Sequence, residues 1–406
     1  MRKLGINRNF LFLLCLGVLS PAAAQNAGDQ ERKRQPSGLY QVYRDEKSGR
    51  RSYGFIDKTG KLVIGFDQLL QTTDRVGDFS EGLAAIYLKK EKGDPADYPD
   101  IKAGYIDATG KIVIAPRWRY AGDFSDGLAV VQSKEFSGYI NRRGEEVIKL
   151  DEFPLKDFHG GLAAVGWNPL QANSGYIDHS GKLVIERKYS FADEFSEGLA
   201  GVVVNRKYGF INQKGEMVIA PRFIPLKEGD AMITARTSRF SEGLACVRVD
   251  AGYGYIDKQG NFVIQPQFNF AQEFSEGLAW VVTQEGKIGW IDRAGRWAVV
   301  LGEGARLPGE HGLLYTHGEV DLRYSEGLAP SITHFQGNYL SGYNYFWGYM
   351  DKQGGTVIRL PGEVEYAKLR PFSGGIAKVS FYIKGNLNKE KDAYVNRSGQ
   401  FIWRSN

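Results

Sequence analysis

The stretch Phe124-Ser125-Asp126-Gly127-Leu128-Ala129, followed by Gly138-Tyr139-Ile140-Asn141-x-x-Gly144, is the unit from which most of the chain is built. Both halves of this motif recur, and self-similarity at a fixed period overrides the domain count that 406 residues would otherwise suggest. The first half begins at Phe79, Phe124, Phe158, Phe195, Phe240, Phe274, Tyr324 and Phe372. The second half begins at Gly54, Gly104, Gly138, Gly175, Gly209, Gly254, Gly289 and Gly348, with a degenerate ninth copy from Ala393 to Gly399.

Each repeat contains three strand-like runs, which in the quoted copy are 128–132, 138–141 and 146–149. β-branched and aromatic residues dominate these runs and turn residues bound them, whereas no stretch after the leader shows a helical period. The sequence therefore predicts an all-β chain of three-stranded meanders.

The connection between the second and third runs is nearly constant, as in Asp57-Lys58-Thr59-Gly60. Asp or Asn at the entrance and Gly at a position of positive φ predict a type I turn with a G1 bulge. The third run often reaches a proline, at Pro116, Pro221 and Pro266. Because proline cannot donate to a ladder, we expect the strand to stop there.

The ends of the chain keep the same phase, since 37–43 resembles a first strand and 372–403 contains a complete last unit. This predicts about nine units over residues 37–406 with a period of about 34 to 45 residues. Propellers typically have ~4 to 8 four-stranded blades and often mix their first and last strands. An open, twisted β-solenoid is therefore favoured over a closed propeller, which remains the alternative.

The chain resembles the bacterial WG-repeat family, named for an aromatic residue followed by Gly. The pair occurs here as Tyr53-Gly54, Tyr208-Gly209, Tyr253-Gly254 and Trp347-Gly348, although other copies have Ala103-Gly104 or Ser137-Gly138. The resemblance covers most of the chain. It implies a tandem β array, often on exported proteins and mostly of unknown molecular activity.

The N-terminus carries basic residues before a short apolar core and small residues, which predicts a signal peptide over 1–24 with cleavage after Ala24. A lipoprotein anchor at Cys15 is the rival, but Leu14 before it and the later small residues favour cleavage. Residues 25–36 are a polar lead-in, and no other stretch is long enough for a spanning helix. Loss of the leader, with three basic residues and no acid, lowers the formal charge from +5 to +2, which does not favour nucleic acid.

Function is expected where the copies differ. The hairpin 335–347 concentrates aromatic residues and amides, which suits a glycan or peptide, although the rings could instead pack on a neighbouring unit. The candidate ligand-binding residues are Tyr339, Tyr343, Tyr345 and Phe346. His311, His317 and His334 match no recognised metal spacing, and the remaining Cys246 follows a strand pattern as a small buried residue would.

The motif acids recur in six units, so they cannot be the single carboxylate pair that a glycosidase needs, and their repetition points to a turn or a multivalent surface. We therefore predict a monomeric, non-catalytic, exported scaffold that binds a protein, peptide or glycan and needs no cofactor or metal. A polysaccharide- or cell-wall-acting hydrolase on a propeller-like scaffold and a structural envelope spacer are the alternatives.

Overall fold

The computed structural model describes residues 38–47, 51–69, 72–89, 101–151, 156–166, 173–227, 235–236, 239–301, 321–335, 344–361, 364–383 and 386–405. In this part of the chain the fold is all-β and every strand pairing is antiparallel. The one helical element there is a 3-10 helix at Phe66–Leu69. Within the described residues, none of the helical structure has the length and apolar character needed to cross a bilayer. The predicted leader and lead-in lie outside them.

The repeats form nine units, numbered here in chain order as 38–64, 72–118, 120–149, 156–189, 191–223, 239–268, 270–300, 321–359 and 364–404. Unit 1 contains β1 (Tyr40–Asp45), β2 (Arg51–Ile56) and β3 (Leu62–Ile64), and unit 2 contains β4 (Thr72–Val76), β5 (Leu83–Lys89), β6 (Ile101–Asp107) and β7 (Ile112–Trp118). Unit 3 contains β8 (Tyr120–Ala121), β9 (Leu128–Gln132), β10 (Ser137–Asn141) and β11 (Glu146–Lys149), and unit 4 contains β12 (Leu162–Val165), β13 (Ser174–Asp178) and β14 (Leu183–Tyr189).

Unit 5 contains β15 (Phe191–Ala192), β16 (Leu199–Val204), β17 (Lys207–Asn212) and β18 (Met217–Phe223), and β19 (Leu226–Lys227) with β20 (Ala235–Arg236) follows as a small hairpin. Units 6 and 7 contain β21 (Phe240–Ser241), β22 (Leu244–Val249), β23 (Gly252–Ile256), β24 (Phe262–Ala271), β25 (Leu278–Thr283), β26 (Ile288–Asp292) and β27 (Trp297–Val300). Unit 8 contains β28 (Ala329–Phe335), β29 (Asn344–Met350) and β30 (Thr356–Arg359), and unit 9 contains β31 (Val364–Leu369), β32 (Ile376–Ile383), β33 (Asn386–Asn396) and β34 (Phe401–Arg404).

Every unit has the predicted three-stranded meander, and several have a further strand in front of it. The leading strands β4, β8, β15, β21 and β31 pair with the first meander strand of their own unit, which gives four-stranded sheets in several units. β24 belongs to two sheets, because its first half pairs with β23 and its end pairs with β25. The chain thus passes from the third strand of one unit into the leading strand of the next.

The predicted turn between the second and third strands is confirmed. Gly60 N–H donates to Asp57 O, Asp57 N–H donates to Lys61 O, and Gly60 has φ +86°. The Asp57 carboxylate accepts hydrogen bonds from the hydroxyl and N–H of Thr59, and these bonds lower its pKa. A register shift next to this turn is present in the second and third strands of the unit, as a G1 bulge requires.

The expectation that the third strand stops at proline is wrong. β7 continues through Pro116 to Trp118, and the pairs Tyr105↔Ile114 and Ala103↔Trp118 show that the proline lies in a bulge, where a missing donor is tolerated. The bulge brings the strand close to its neighbour. A Cβ at Gly104 would lie 2.6 Å from Ile114 O and 2.7 Å from Pro116 N, so the glycine of the second half-motif makes room for it.

The hydrophobic core lies between units rather than inside them. In the first meander strand, alternate residues face opposite neighbours: Ala85 packs toward unit 3, whereas Ala84 and Ile86 pack toward unit 1. Each pair of consecutive units shares one buried cluster in the described residues. We call such a contact a junction and name it by its two units.

Unit 9 and unit 1 also form a junction. Val42 and Ile56 of unit 1 are buried with Ile376 and Tyr394 of unit 9. Tyr40 Oη donates to Ser373 O at 2.8 Å, and Tyr394 Oη donates to Gln41 O at 2.9 Å. The two ends of the repeat array are therefore in direct contact.

Candidate functional site

The first half-motif forms a two-residue hairpin turn with two residues of positive φ. Ser125 and Leu128 exchange backbone hydrogen bonds, and between them Asp126 has φ +51° and Gly127 has φ +82°. This is a type I′ turn, in which both central residues have positive φ. The sequence analysis did not predict positive φ for the acid, because most copies have Glu there, and Glu, unlike Asp, is not among the residues enriched at positive φ.

The carboxylate of each motif acid holds the next unit. Glu242 Oε2 accepts a hydrogen bond from Gly277 N–H at 2.9 Å, which joins the motif turns of units 6 and 7. The same bond links Glu81 to Gly127, Asp126 to Gly161, Glu197 to Gly243, Glu276 to Gly327 and Glu326 to Gly375, all at 2.9–3.1 Å. The repeated acids are thus structural, one of the two roles that their repetition suggested.

Two further contacts reinforce these junctions. Ser125 Oγ donates to Phe158 O of the next unit at 2.7 Å, and the equivalent bond is made by Ser80, Ser196, Ser241, Ser275 and Ser325. At some junctions a cation follows the turn aspartate or asparagine of the next unit and reaches back. Lys258 Nζ donates to Glu197 O at 2.9 Å and lies 3.2 Å from its carboxylate. Lys352 makes both contacts with Glu276, to its carbonyl oxygen and its carboxylate, and Arg397 makes both with Glu326.

Aromatic pairs fill the junctions. The aromatic residue after the strand-two glycine packs against the motif aromatic of the next unit, as Tyr255 does against Phe274 with ring centroids 4.8 Å apart. Where that residue is Tyr, its hydroxyl donates to a carbonyl two residues before the motif aromatic, as from Tyr255 to Gln272 O. The pairs are Phe55–Phe79, Tyr105–Phe124, Tyr139–Phe158, Tyr176–Phe195, Phe210–Phe240, Tyr255–Phe274, Trp290–Tyr324 and Tyr349–Phe372.

Junction 4/5 departs from this pattern because unit 4 has His159 and Gly160 in place of the motif Ser and acid. An ionic cluster takes their place. His159 Nε2 and Arg239 Nη1 each lie 3.0 Å from Glu194 Oε2, and Arg239 Nη2 lies 3.5 Å from Asp193 Oδ1. Burial alone would raise the pKa of Glu194, but Arg239 and His159 outweigh it and hold that pKa far below its usual range. Glu194 is therefore ionised and joins units 4, 5 and 6.

Ser125, His159 and Glu194 stand in an order that resembles a hydrolytic triad. Ser125 Oγ lies 3.3 Å from His159 Nδ1, and His159 Nε2 faces Glu194. The Ser125 hydroxyl, however, donates to Phe158 O, as its counterparts do at the other junctions, and Glu194 is shared with Arg239. A nucleophile needs its proton directed to the base. The group is better explained as a junction contact.

Surface clefts open at two equivalent junctions. At junction 2/3 a cleft of about 520 Å³ lies between Arg117 and Trp118 of the proline bulge and Ser133, Glu135, Phe136, Glu146, Val147 and Lys149 of unit 3. At junction 5/6 a cleft of about 460 Å³ is lined by Arg222, Phe223, Val249, Gly260, Asn261, Phe262 and Gln265. Both lie beside the residues that follow a proline, Arg117-Trp118 and Arg222-Phe223. Volumes of this size suit a side chain or small ligand.

The aromatic hairpin predicted to bind ligand falls mostly outside the described residues, including Tyr339 and Tyr343. Tyr345 and Phe346 belong to β29, where they pair with His334 and Thr333, but their side chains are not described. Ligand binding by this hairpin therefore stays a prediction. His311 and His317 also lie outside the described residues, so the prediction that they form no metal site stays a prediction too. Among the described residues, no group of His, Cys, Asp and Glu could hold a metal ion. Cys246 is buried, and burial raises its pKa.

The sequence model of a family described as "WG containing repeat" matches this chain at six stretches. They are residues 53–67, 104–135, 175–208, 208–223, 253–287 and 347–381. No curated protein matches the chain in sequence. The matched stretches include part or all of each of the nine units, while no relative supplies an activity.

Several solved structures are similar in fold. A crystal structure described as "the eukaryotic initiation factor" has a TM-score of 0.54 at 10% identity, over 91% of this chain and 96% of that chain. BamB from Moraxella catarrhalis has a TM-score of 0.38 at 12% identity, over 80% and 94%. Apo AztD from Citrobacter koseri has 0.38 at 12% identity, over 90% and 94%. At these identities the first likeness concerns the fold alone, and the other two scores are too low for an argument.

Proposed function

We propose that the chain is a WG-repeat protein whose nine units close into a ring and that it acts as an exported, non-catalytic interaction scaffold. The proposal rests on one observation, which is that the repeated polar side chains bond to the neighbouring unit. The motif acids and serines join consecutive units, so the regular part of each repeat builds the framework. Binding then falls to positions that differ between copies.

Closure is supported by contacts of the glycine in the turn between the second and third strands. At the eight junctions between consecutive units this glycine lies over a buried apolar side chain of the preceding third strand, so that a Cβ at Gly144 would lie 2.7 Å from Ile114 Cγ2. The pairs are Gly110 on Ile64, Gly144 on Ile114, Gly181 on Ile148, Gly215 on Ile185, Gly260 on Ile219, Gly295 on Ile264, Gly354 on Val299 and Gly399 on Ile358. At junction 9/1 Gly60 lies instead over the backbone of Ile402, one residue before Trp403, which holds the equivalent third-strand position. This shifted contact joins unit 1 to unit 9, which an open solenoid would keep apart.

The clefts at junctions 2/3 and 5/6 are the proposed binding surface. They occupy equivalent places three units apart but differ in their linings. Arg117, Glu135, Glu146 and Lys149 surround the first cleft with both signs of charge, whereas Arg222 is the one ionisable residue lining the second. Polar groups around an apolar floor give orientation and specificity to a ligand. A protein or peptide that contacts both clefts would gain affinity from bivalent attachment.

The test is capture from envelope extract by immobilised protein of residues 25–406, with mass spectrometry of the bound proteins. The cleft variant exchanges the charges of two exposed residues, Glu135→Lys with Lys149→Glu. A matched control exchanges Glu186→Lys on β14 with Lys182→Glu just before it, outside both clefts. We expect one partner to be retained by the wild type and the control and lost by the cleft variant. Equal retention by all three would contradict the cleft assignment.

The aromatic hairpin is tested in the same assay. Shortening 336–346 to the length of the corresponding hairpin in unit 3 removes the predicted residues Tyr339, Tyr343, Tyr345 and Phe346. Loss of the partner in this variant would move the binding surface to the hairpin. Cleavage of a defined polysaccharide by the intact protein, in the absence of any captured partner, would instead favour the hydrolase.

Export is tested by the mature N-terminus. Cleavage after Ala24 produces a protein that begins at Gln25, and intact-mass measurement of the exported form distinguishes it from a chain that retains Cys15.

A further inference from the structure

The junctions define a recurring carboxylate site. It consists of the motif glycine N–H of one unit and, at junctions 5/6, 7/8 and 8/9, the Lys or Arg that follows the turn aspartate or asparagine of that unit. At junction 5/6 the Glu197 carboxylate lies 3.0 Å from Gly243 N and 3.2 Å from Lys258 Nζ. The protein thus shows which chemical group this arrangement binds.

Junction 9/1 has the donors of this site but not the internal acid. Gly374 stands where Glu197 stands in unit 5, with φ +62° against +51°, so the turn is formed without a carboxylate. Gly38 is the motif glycine of unit 1, with φ +73° against +79° for Gly243. Lys58 follows Asp57 as Lys258 follows Asp257.

The surroundings of Gly38 are like those of the motif glycines that bind a carboxylate, since a Cβ at Gly38, Gly127 or Gly277 would meet nothing within 4 Å. Within the described part of the chain, neither the Gly38 N–H nor the Lys58 ammonium has a hydrogen-bond or ion-pair partner. Junction 4/5 also lacks the acid, at Gly160, but there Gln213 takes the place of the cation and donates to Gly160 O at 2.9 Å. Junction 9/1 therefore offers the stronger attraction for an anion.

We propose that Gly38 N–H and Lys58 Nζ bind a carboxylate supplied from outside the chain. A carboxylate that accepts from a backbone N–H and an ammonium group makes charge-assisted hydrogen bonds, which are stronger than neutral ones. The source is either a small organic acid or the acidic side chain of a protein segment. Neither source involves the clefts, so this site stands or falls independently of the proposed scaffold function.

The experiment is an amide NMR titration of the protein of residues 25–406, with Gly38 and Gly243 assigned. The probes are acetate, the capped peptide acetyl-Gly-Ser-Glu-Gly-Leu-amide and its Gln counterpart. We expect the Gly38 amide to shift saturably with acetate and with the Glu peptide, and not with the Gln peptide. The Gly243 amide, already bonded to Glu197, should not move. At least tenfold tighter binding of the Glu peptide than of acetate identifies a protein segment as the source, and comparable binding identifies a small acid.

Three variants weaken, block or recreate the carboxylate site. Lys58→Met should weaken the Gly38 response at least tenfold, and Gly374→Glu should abolish it by supplying the carboxylate internally. Glu197→Gly should create the same site at junction 5/6 and make the Gly243 amide responsive. A thermal melt confirms that each variant is folded. An unresponsive Gly38 amide in the wild type, or an unchanged response in both Lys58→Met and Gly374→Glu, would overturn the proposal.

Discussion

Junctions 6/7 and 9/1 join units of the same design by different means. At junction 6/7 ten residues are buried in one cluster, β24 is shared by both sheets, and Ser241 and Glu242 bond the next motif turn. At junction 9/1 four residues are buried, and Tyr40, at the first-strand position that Ala84 holds in unit 2, has its ring 5.8 Å from that of Tyr394. At both junctions the turn glycine lies against the third strand of the preceding unit, on the Ile264 side chain at junction 6/7 and on the Ile402 backbone at junction 9/1.

The difference shows that a junction consists of separable layers. The turn glycine allows the units to approach closely, the aromatic pair lies in the buried cluster, and the motif turn adds hydrogen bonds. Junction 4/5 keeps the first two layers and replaces the third with ions around Glu194. Each layer can therefore be removed and measured by itself.

The largest effect is expected from the aromatic layer. Phe274→Ala deletes a ring that is 1% exposed and should cost about 4 kcal/mol of unfolding free energy through the cavity it leaves. Tyr40→Ala at junction 9/1 removes a half-buried ring and should cost about 1.5 kcal/mol. Urea unfolding measures both. Equal losses would mean that junction 9/1 is packed as tightly as junction 6/7.

The ionic layer comes next. Glu194→Gln leaves Arg239, 11% exposed, without its carboxylate and should cost about 3 kcal/mol at neutral pH. Because the folded pKa of Glu194 is lowered, its contribution is complete above the ordinary pKa and is lost as the pH falls through the folded one. The stability gap between wild type and variant should therefore persist down to about pH 5 and narrow only below about pH 4. The exposed Glu186→Gln is the control, and a gap that closes near pH 6 would contradict the assignment.

The motif carboxylate is a smaller contribution. Glu242→Gly deletes one charge-assisted hydrogen bond to Gly277, worth about 1.5 kcal/mol, but relieves the roughly 1 kcal/mol that Glu bears at φ +55°, so about 0.5 kcal/mol should be lost. Glu242→Ala loses the same bond and keeps the cost of positive φ, so about 1.5 kcal/mol should be lost. Chemical denaturation measures the loss of unfolding free energy in each variant, and the difference between the two losses is the cost of positive φ. Identical values would show that the turn conformation costs nothing.

The smallest effect is a gain. Gly160→Glu supplies junction 4/5 with the missing acid opposite Gly198 and should raise stability by about 0.5 kcal/mol, the balance of a new bond against the cost of positive φ. Gly160→Ala bears that cost without the bond and should destabilise. Thermal melts of both variants measure the difference. Either side chain requires a small displacement of Gln213, whose Nε2 lies 3.2 Å from the new Cβ. A Glu variant no more stable than the Ala variant would show that the carboxylate site cannot be rebuilt there.

What the sequence predicted well was local. The three meander strands and the Asp57 turn depend on residues within one repeat, and both are as expected. The bulge at Pro116 was missed because the expectation that a strand stops at proline takes only that strand into account. Here the strand continues because Gly104 on the neighbouring strand leaves room for the bulge. A glycine opposite each proline was the signal that could have revealed it.

What the sequence did not reveal lies between repeats. The motif acids accept a hydrogen bond from a backbone N–H one repeat later, and a pattern of side chains does not reveal such a partner. An acid before the motif aromatic recurs in several units, but the ionic cluster also needs His159 from unit 4 and Arg239 from unit 6. The clefts went unpredicted for the same reason, since they exist only when two units are placed side by side.

The contacts of junction 9/1 also set an order of events in folding. Most junction hydrogen bonds join residues about one repeat apart, such as Ser125 and Phe158, whereas Tyr40 and Ser373 are separated by 333 residues and Tyr394 and Gln41 by 353. A roughly tenfold longer loop costs about 2 kcal/mol more to close, so the terminal junction gains nothing from early formation. Units 1 to 8 can stack through contacts between neighbours before unit 9 docks on unit 1, so junction 9/1 is expected to be the last junction to form.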